Sequence, residues 1–309
     1  MAFLLARIFR GLLTMVLVVT FVFVVLRVVG DPMAAFLGEN ADADEIVYYT
    51  EKWGLDRPLG AQYATYFRAV LQGDLGVSFA TSEPALQVVL EKVPATLQLG
   101  LVSLAASLAF GVPLGIWTAM RRGTWIDRTV MSFAVFGFSM PNFFLGILLI
   151  LLFSLHWQLL PSFGSDSVAH LIMPAATLSL SAAGSIARFA RSSMLEVMNS
   201  TYMRTAKAKG NPVGRRLVRH ALPNAAIPLV TVVGFRLGDL IAGAIIVETV
   251  FAWPGIGRLL VEAVASRDLP VVQTIVLMTA ATMVTANLTI DILYGWLDPR
   301  VRLSGEHAR

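Results

Sequence analysis

Six long apolar segments constrain this chain more than any other feature of its sequence. They cover residues 11–29, 95–120, 129–155, 171–187, 225–247 and 271–297. A helix needs about 20 consecutive apolar residues to cross the roughly 30 Å hydrocarbon layer of a bilayer. The apolar residues run continuously rather than alternating, so helices are favoured over barrel strands. We therefore predict an all-α, polytopic membrane protein with six transmembrane helices.

The composition supports this class. Hydrophobic residues make up 56% of the chain and charged residues 14%, against about 45–50% and about 25% in soluble domains. These values exclude an ordinary soluble enzyme and a disordered tail protein. The chain has no cysteine, which excludes disulfides, thiolate metal sites and cysteine nucleophiles within it.

The basic residues are distributed unevenly between the two sides of the predicted bundle. With the N-terminus inside, 16 of the 24 lysines and arginines lie in the inner pieces, residues 1–10, 121–128, 188–222 and 298–309. Because inner loops carry the excess of Lys and Arg in membrane proteins, both termini are predicted to be cytoplasmic. The net charge of +4 is thus explained by topology, and nucleic-acid binding is the poorer interpretation.

The predicted spans divide the chain into four parts. These are an N-terminal tip with the first helix (1–29), an outer segment (30–94), a five-helix core (95–297) that includes the inner loop 188–222, and a tail (298–309). The outer segment carries ten of the twenty acidic residues, which fits either a docking platform for an external partner or a folded cap with a solvated acidic face. It is predicted to hold a helix over residues 44–53 ended by Gly54, and another between Pro58 and Gly73.

The inner loop 188–222 has eight basic residues and one acidic residue. Its composition predicts a helix over residues 196–209 that Gly210 terminates, a turn, and a second short helix over residues 213–222. Ala206 and Ala208 are expected to leave one surface of these short helices without large side chains, so that a groove of another protein can close over it. A basic interfacial helix on anionic lipid is the alternative.

The same loop resembles the coupling-loop motif of ABC-importer permeases, which reads Glu-Ala-Ala, three residues and Gly. Arg204, Thr205 and Ala206 occupy the first three places and Gly210 the last. Arginine in the first place is similar to the dipeptide/oligopeptide/nickel branch of that family. Further matches to this branch occur in order along the chain, at residues 53–58, 73–78, 94–99, 139–143, 247–257 and 297–300.

The resemblance implies a type I ABC importer permease fold in a bacterial inner membrane. It implies a coupling helix at about residues 201–210 that sits in a cleft of a cytoplasmic ATPase. The contact residues implied are Tyr202, Arg204, Thr205, Ala206, Ala208, Lys209 and Gly210. The implied partners are a second, homologous permease, one or two ABC ATPases that carry ATP and Mg, and an extracytoplasmic binding protein.

Peptides are the substrate class that the branch implies, with nickel chelates or glutathione as alternatives. The chain contains no Gly-Lys pair and hence no P-loop, which holds phosphates with a Gly-Lys-Ser/Thr sequence. We therefore expect a transport subunit that is not itself an enzyme and binds no cofactor. His156 and His170 fall in the second outer loop, where a nickel entry point is a minor alternative to ordinary interface histidines.

Arg236 and Asp239 lie three residues apart in the fifth span. Ionisable groups are costly in a membrane and indicate a function unless they are paired. These two residues line the translocation path, form a structural ion pair with each other, or pair with the partner permease. Two other functions are weaker. An intramembrane hydrolase needs a supported nucleophile, which Gly184-Ser185 does not offer, and a secondary transporter often shows internal repeats, which are not evident here.

Small residues and prolines predict how the spans pack. Gly111 and Gly115 form a face of small residues on the second span, which favours close helix packing. Pro113, Pro141 and Pro174 are expected to kink their helices.

Overall fold

The computed structural model describes residues 2–28, 42–52, 56–242 and 244–297. Four helices of this part are long and apolar enough to cross a membrane, namely Arg7–Val25, Ala85–Met120, Val168–Met198 and Leu269–Thr289. Two bent helix pairs bring the number to six if each pair is one span. The predicted all-α, polytopic architecture is confirmed, and the predicted number of six spans is reached when each bent pair is taken as one span.

The helices group into two compact units, Met1–Ala95 with Pro254–Leu288, and Thr96–Trp253 with Thr289–Arg309. Helices of the first unit are α1 (Ala2–Val28), α2 (Ala43–Lys52), α3 (Leu59–Leu71), α4 (Ala85–Leu90) and α13 (Ile256–Ala265). Helices of the second unit are α6 (Trp125–Ser139), α7 (Asn142–Leu149), α8 (Val168–Met198), α9 (Thr201–Ala208), α10 (Val213–Arg216), α11 (Leu222–Ala242) and α12 (Ile245–Val250). Two helices, α5 (Val93–Met120) and α14 (Leu269–Leu297), run from one unit into the other.

In the first unit, α3 packs against α1. The ring of Phe23 meets Tyr63 edge-on at 5.3 Å and stacks on Tyr66 at 5.7 Å. Burial raises the pKa of Tyr66 to about 12, and the nearby Tyr63 adds to that shift. As predicted, Pro58 precedes α3 and Gly73 follows it, with a φ of +77° that suits glycine. The predicted terminator Gly54 of the preceding helix lies outside the described residues.

A buried carboxylate joins two distant parts of the first unit. Asp268, just before α14, is 2% exposed and accepts a hydrogen bond from the Ser78 hydroxyl at 2.5 Å. Its oxygens also accept from the backbone N–H groups of Phe79 and Ala80. These bonds hold residues 78–80 of the outer segment to the start of the last long helix, because a buried carboxylate must keep its donors.

In the second unit, small residues bring α5 and α8 together. A β-carbon on Gly111 would lie 2.9 Å from the carbonyl oxygen of Ala183, and one on Gly115 would overlap the carbonyl oxygen of Ala187. Only glycine permits this approach, so the predicted small-residue face is confirmed. Gly184 likewise allows α8 to approach α6, because a β-carbon on it would overlap the carbonyl oxygen of Ala134.

The third apolar segment breaks at Pro141, where the sequence predicts a kink, and forms two helices rather than one continuous span. Residues 129–155 form two helical pieces, α6 and then α7, which continues as a π-helix to His156, and the pieces meet at an angle of 102°. Met140 adopts an extended conformation immediately before Pro141. The reason is local, since proline drives the residue before it out of the helical region and lacks an N–H of its own.

The helices α5 and α8 each continue through their proline, Pro113 and Pro174, and the kinks expected there stay predictions. The fifth span also differs from prediction. The predicted span 225–247 is not one helix, because α11 ends at Ala242 and α12 begins at Ile245. On α12, Glu248 is fully buried and accepts a hydrogen bond from the Thr96 hydroxyl of α5 at 2.7 Å.

Candidate functional site

The candidate site is α9, the short helix that follows α8. The predicted helix over residues 196–209 is wrong as a single element, because α8 runs to Met198 and α9 starts afresh at Thr201. Ser200 lies between them in an extended conformation, which breaks the helical path. The long helix α8 therefore extends about three turns beyond residue 188, where the basic loop is predicted to begin.

One side of α9 packs into the chain itself. Met203 is 7% exposed and Ala206 is 8% exposed, and their spacing of three places them on one helical face. Met203 joins a buried cluster with Ala119 of α5, Met194 of α8 and two alanines of the following segment. Those alanines are Ala221 and Ala225. A buried methionine of this kind contributes about 2–5 kcal/mol relative to alanine, so α9 is attached to three long helices through one side chain.

The other side of α9 is exposed. Of the seven residues implied as contacts, Ala206 is buried, and the exposed ones are Tyr202, Arg204, Thr205, Ala208, Lys209 and Gly210. The prediction that Ala206 and Ala208 lie on the same surface of the helix is wrong, because residues two apart face opposite sides of a helix. The exposed side thus presents an aromatic ring, several cations and a small residue.

Gly210 ends this element as predicted. Its φ of +76° lies in the left-handed region, where glycine carries no steric penalty. The Gly210 N–H donates to the carbonyl of Lys207, and the Asn211 N–H donates to the carbonyl of Ala206. The carbonyl groups left open at the end of α9 are therefore capped as the chain reverses toward Pro212.

The second short helix is not separate from the next span. It begins with α10, passes through a π-helical turn at Leu217–Ala221 and continues directly into α11. The two halves, Val213–Ala226 and Pro228–Gly234, differ in direction by 41°, which fits a proline kink. The prediction of an isolated helix over residues 213–222 is therefore wrong.

A salt bridge also involves the C-terminal part of α8, the helix that precedes α9. Arg191 donates to both carboxylate oxygens of Asp127, from Nε at 2.7 Å and from Nη2 at 2.8 Å. Asp127 also accepts from the Gly123 N–H at 3.0 Å, and its own N–H donates to the Thr124 hydroxyl. The pair joins the start of α6 to α8 in a two-bond geometry that favours arginine.

Sequence reasoning missed both the buried anchor Met203 and the salt bridge between Asp127 and Arg191. A partial signal existed for Asp127, because Thr124 precedes it by three residues in the manner of a helix cap. Met203 carries no such signal, since its burial depends on residues of other helices, among them Ala119, which lies more than 80 positions away along the chain.

The structure describes the predicted residues Arg236 and Asp239 only in part. Both residues belong to α11, but their side chains are outside the described part of the structure, so their role stays a prediction.

The two histidines of the second outer loop differ in their surroundings. His170 caps α8, because its Nδ1 accepts a hydrogen bond from the Ser167 N–H at 3.2 Å. His156 is exposed at the end of the π-helix. Among the described residues, no group of three His, Asp or Glu side chains could hold a metal ion.

The spans, the bent helix pairs and the anchored α9 define a polytopic helical protein with the type I ABC importer permease fold. The fold is also that of a chain in the MetNI methionine ABC transporter, solved in inward-facing conformations. That likeness has a TM-score of 0.56 at 20% sequence identity and covers 71% of this chain and 100% of the other.

Sequence comparison places the chain in a family. Residues 111–303 match the family described as "Binding-protein-dependent transport system inner membrane component", and residues 1–100 match its N-terminal counterpart. The chain belongs to this family of multi-pass inner-membrane transport components.

Two curated relatives cover almost all of it. The glutathione transport system permease protein GsiC of Salmonella choleraesuis (strain SC-B67) is 41% identical, over 94% of this chain and 95% of the relative. The dipeptide transport system permease protein DppB of Escherichia coli (strain K12) is 39% identical, over 92% and 93%.

Proposed function

We propose that the chain is one of two permease subunits of an ATP-driven importer for short peptides. An extracytoplasmic binding protein delivers the peptide, and the path forms between this chain and a second, homologous permease. One or two ABC ATPases, which bind ATP and Mg, supply the energy from the cytoplasm. Near-full-length similarity to a dipeptide permease and a glutathione permease supports the peptide class, since glutathione is itself a small peptide.

The observation that carries the mechanism is the two-sided character of α9. Its exposed side offers Tyr202, Thr205 and Ala208 to a partner, whereas Met203 on the other side is buried among α5, α8 and α11. A close-packed cluster transmits displacement rather than absorbing it. When ATP closes the ATPase pair, α9 is carried along and moves the helices to which it is attached, which is rigid-body switching between two states.

The energetic logic is that of a population shift. ATP changes the state of the permease only because the ATPase pair with ATP bound favours one arrangement of the helices over the other. The salt bridge between Asp127 and Arg191 keeps α6 and α8 together, so that the displacement of α9 reaches a connected group of helices. Arg236 and Asp239 are proposed either to stabilise that group as an ion pair or to line the path.

A substitution on the exposed side of α9 tests the docking surface. Ala208→Arg should abolish peptide uptake and prevent co-purification of the ATPase, because a long cation fills the space that the partner needs. Ser165→Arg is the matched control, since Ser165 is also exposed but lies in the loop before α8. If Ala208→Arg transports normally with the ATPase bound, the docking role is wrong.

The anchor is tested separately from the docking surface. Met203→Ala should leave the ATPase bound but reduce the amount of peptide taken up per ATP hydrolysed, because α9 then moves without its helices. Met203→Leu, which conserves most of the volume, should restore that ratio. Equal transport per ATP in Met203→Ala and the unmodified chain would contradict the mechanism.

A further inference from the structure

The helix α3 differs in charge from the segment that contains it. Residues 30–94 hold ten of the twenty acidic residues of the chain, yet none lies in Leu59–Leu71. Its single charged residue is Arg68, in the last turn. The neighbouring α2, by contrast, carries Asp44, Glu45 and Glu51 within ten residues. A water-facing helix normally displays charged residues on its outer face, and α3 does not.

The contacts of α3 place it at the depth of the bilayer. The hydroxyl groups of Tyr63 and Thr20 are hydrogen-bonded at 2.7 Å, and Thr20 lies within Arg7–Val25, the stretch of α1 able to span a membrane. Thr20 precedes the end of that stretch by five residues, or about 8 Å at the helical rise. Because Phe23 of the same stretch packs on Tyr63 and Tyr66, α3 lies beside the outer part of the span rather than above it.

The exposed side of α3 has the chemistry of the boundary between lipid headgroups and acyl chains. Leu59 and Leu71, at its two ends, are 64% and 73% exposed. The residues exposed between them are Gly60, Ala61, Ala64, Thr65 and Arg68. On the opposite side of α3, Tyr63 and Tyr66 direct their rings toward Phe23, and tyrosines concentrate at this level of a membrane. An arginine there extends its aliphatic stem along apolar surface and places its guanidinium among the phosphates.

We propose that α3 is an interfacial helix that lies in the leaflet at the carboxyl end of α1, with its exposed side in contact with lipid. Arg68 binds the phosphate of a lipid headgroup. The helix holds the first outer segment on the membrane surface and fixes α1 through Tyr63 and Tyr66. The inference rests on α1 and α3 alone and does not require the proposed peptide transport.

Because the chain has no native cysteine, a single introduced cysteine reports on one position. Ala64→Cys, on the exposed side of α3, is spin-labelled in the full chain reconstituted into vesicles of phosphatidylethanolamine and phosphatidylglycerol. Collision of the label with oxygen, which concentrates in lipid, is compared with collision with a water-soluble nickel chelate. Glu51→Cys on α2, which is also exposed, is the matched control.

The oxygen-to-nickel collision ratio at Ala64→Cys should exceed that at Glu51→Cys severalfold. Equal ratios would mean that α3 faces water, and low collision with both reagents would mean that protein covers it; either result overturns the proposal. In the Ala64→Cys background, Arg68→Glu should raise nickel collision severalfold, because its carboxylate is repelled by phosphate, whereas Arg68→Lys should not. No change with Arg68→Glu would overturn the role of Arg68.

Discussion

The ion pairs in this chain differ in how far they are buried, and their burial determines how much each contributes to stability. Asp127 has only 5% of its side chain exposed and Arg191 has 27%, and two hydrogen bonds join them. Arg258 and Glu262, one turn apart on α13, also form an ion pair, but with 37% and 56% exposure. Exposed pairs contribute about 0–1 kcal/mol, whereas a buried carboxylate that loses its donor leaves an uncompensated charge.

Asp127→Asn and Arg191→Gln should each lower the free energy of unfolding by about 1–3 kcal/mol, because each leaves a partly buried group without its partner. The double variant should lose less than the sum of the two, as expected for residues in direct contact. Glu262→Gln, the control, should change stability by less than about 0.5 kcal/mol. Chemical denaturation in detergent measures all four, and strict additivity would show that the pair does not couple α6 to α8.

Among the elements, α9 depends on how its ends are made. Ser200 starts it and Gly210 ends it, and the turn at Gly210 sets the direction in which α10 leaves. No atom lies within 4 Å of a β-carbon built on Gly210, so space is available and only the backbone conformation restricts the residue. That separates the effect of the turn from any effect of crowding.

Gly210→Val should reduce peptide uptake strongly, because a β-branched residue in the left-handed region is strained by about 1–2 kcal/mol or more. Gly210→Asn should retain most of the uptake, since asparagine tolerates this conformation at helix ends. Gly214→Ala is the control, because Gly214 lies in helical α10 with open space around it. Uptake assays in cells that express equal amounts of each variant distinguish them, and equal uptake by Gly210→Val and Gly214→Ala would refute the role of the turn.

The sequence predicts elements well where the determinants are local. Apolar length and helix-ending glycines depend on neighbouring residues, so the spans, α3 and the end of α9 follow from the sequence. The direction of α7 after Pro141 does not, because proline predicts a break but not an angle of 102°. The buried side of α9 is also beyond local reasoning, since Met203 is covered by Ala119 and Ala225 from other helices.

At the scale of the whole molecule, the distribution of charge and the arrangement of helices fit a chain that moves in response to a separate ATPase subunit. The basic residues concentrate in the connections that include α9, and the family consists of inner-membrane components of binding-protein-dependent transport systems. Nucleotide chemistry on this proposal belongs to another subunit, and this chain converts movement at one surface into movement of its spans. The orientation of the bundle decides whether that surface can meet a cytoplasmic ATPase.

Both termini and α9 should lie on the cytoplasmic side, because lysine and arginine are retained there during insertion. The chain contains no cysteine, so Lys209→Cys at the end of α9 and Ser165→Cys before α8 can each be labelled alone; both residues are exposed. A membrane-impermeant maleimide should label Ser165→Cys in intact spheroplasts and Lys209→Cys only after permeabilisation, with the cysteine-free chain as the control. Labelling of Lys209→Cys in intact spheroplasts would place α9 outside, where no ATPase can reach it, and would refute the coupling mechanism together with the orientation.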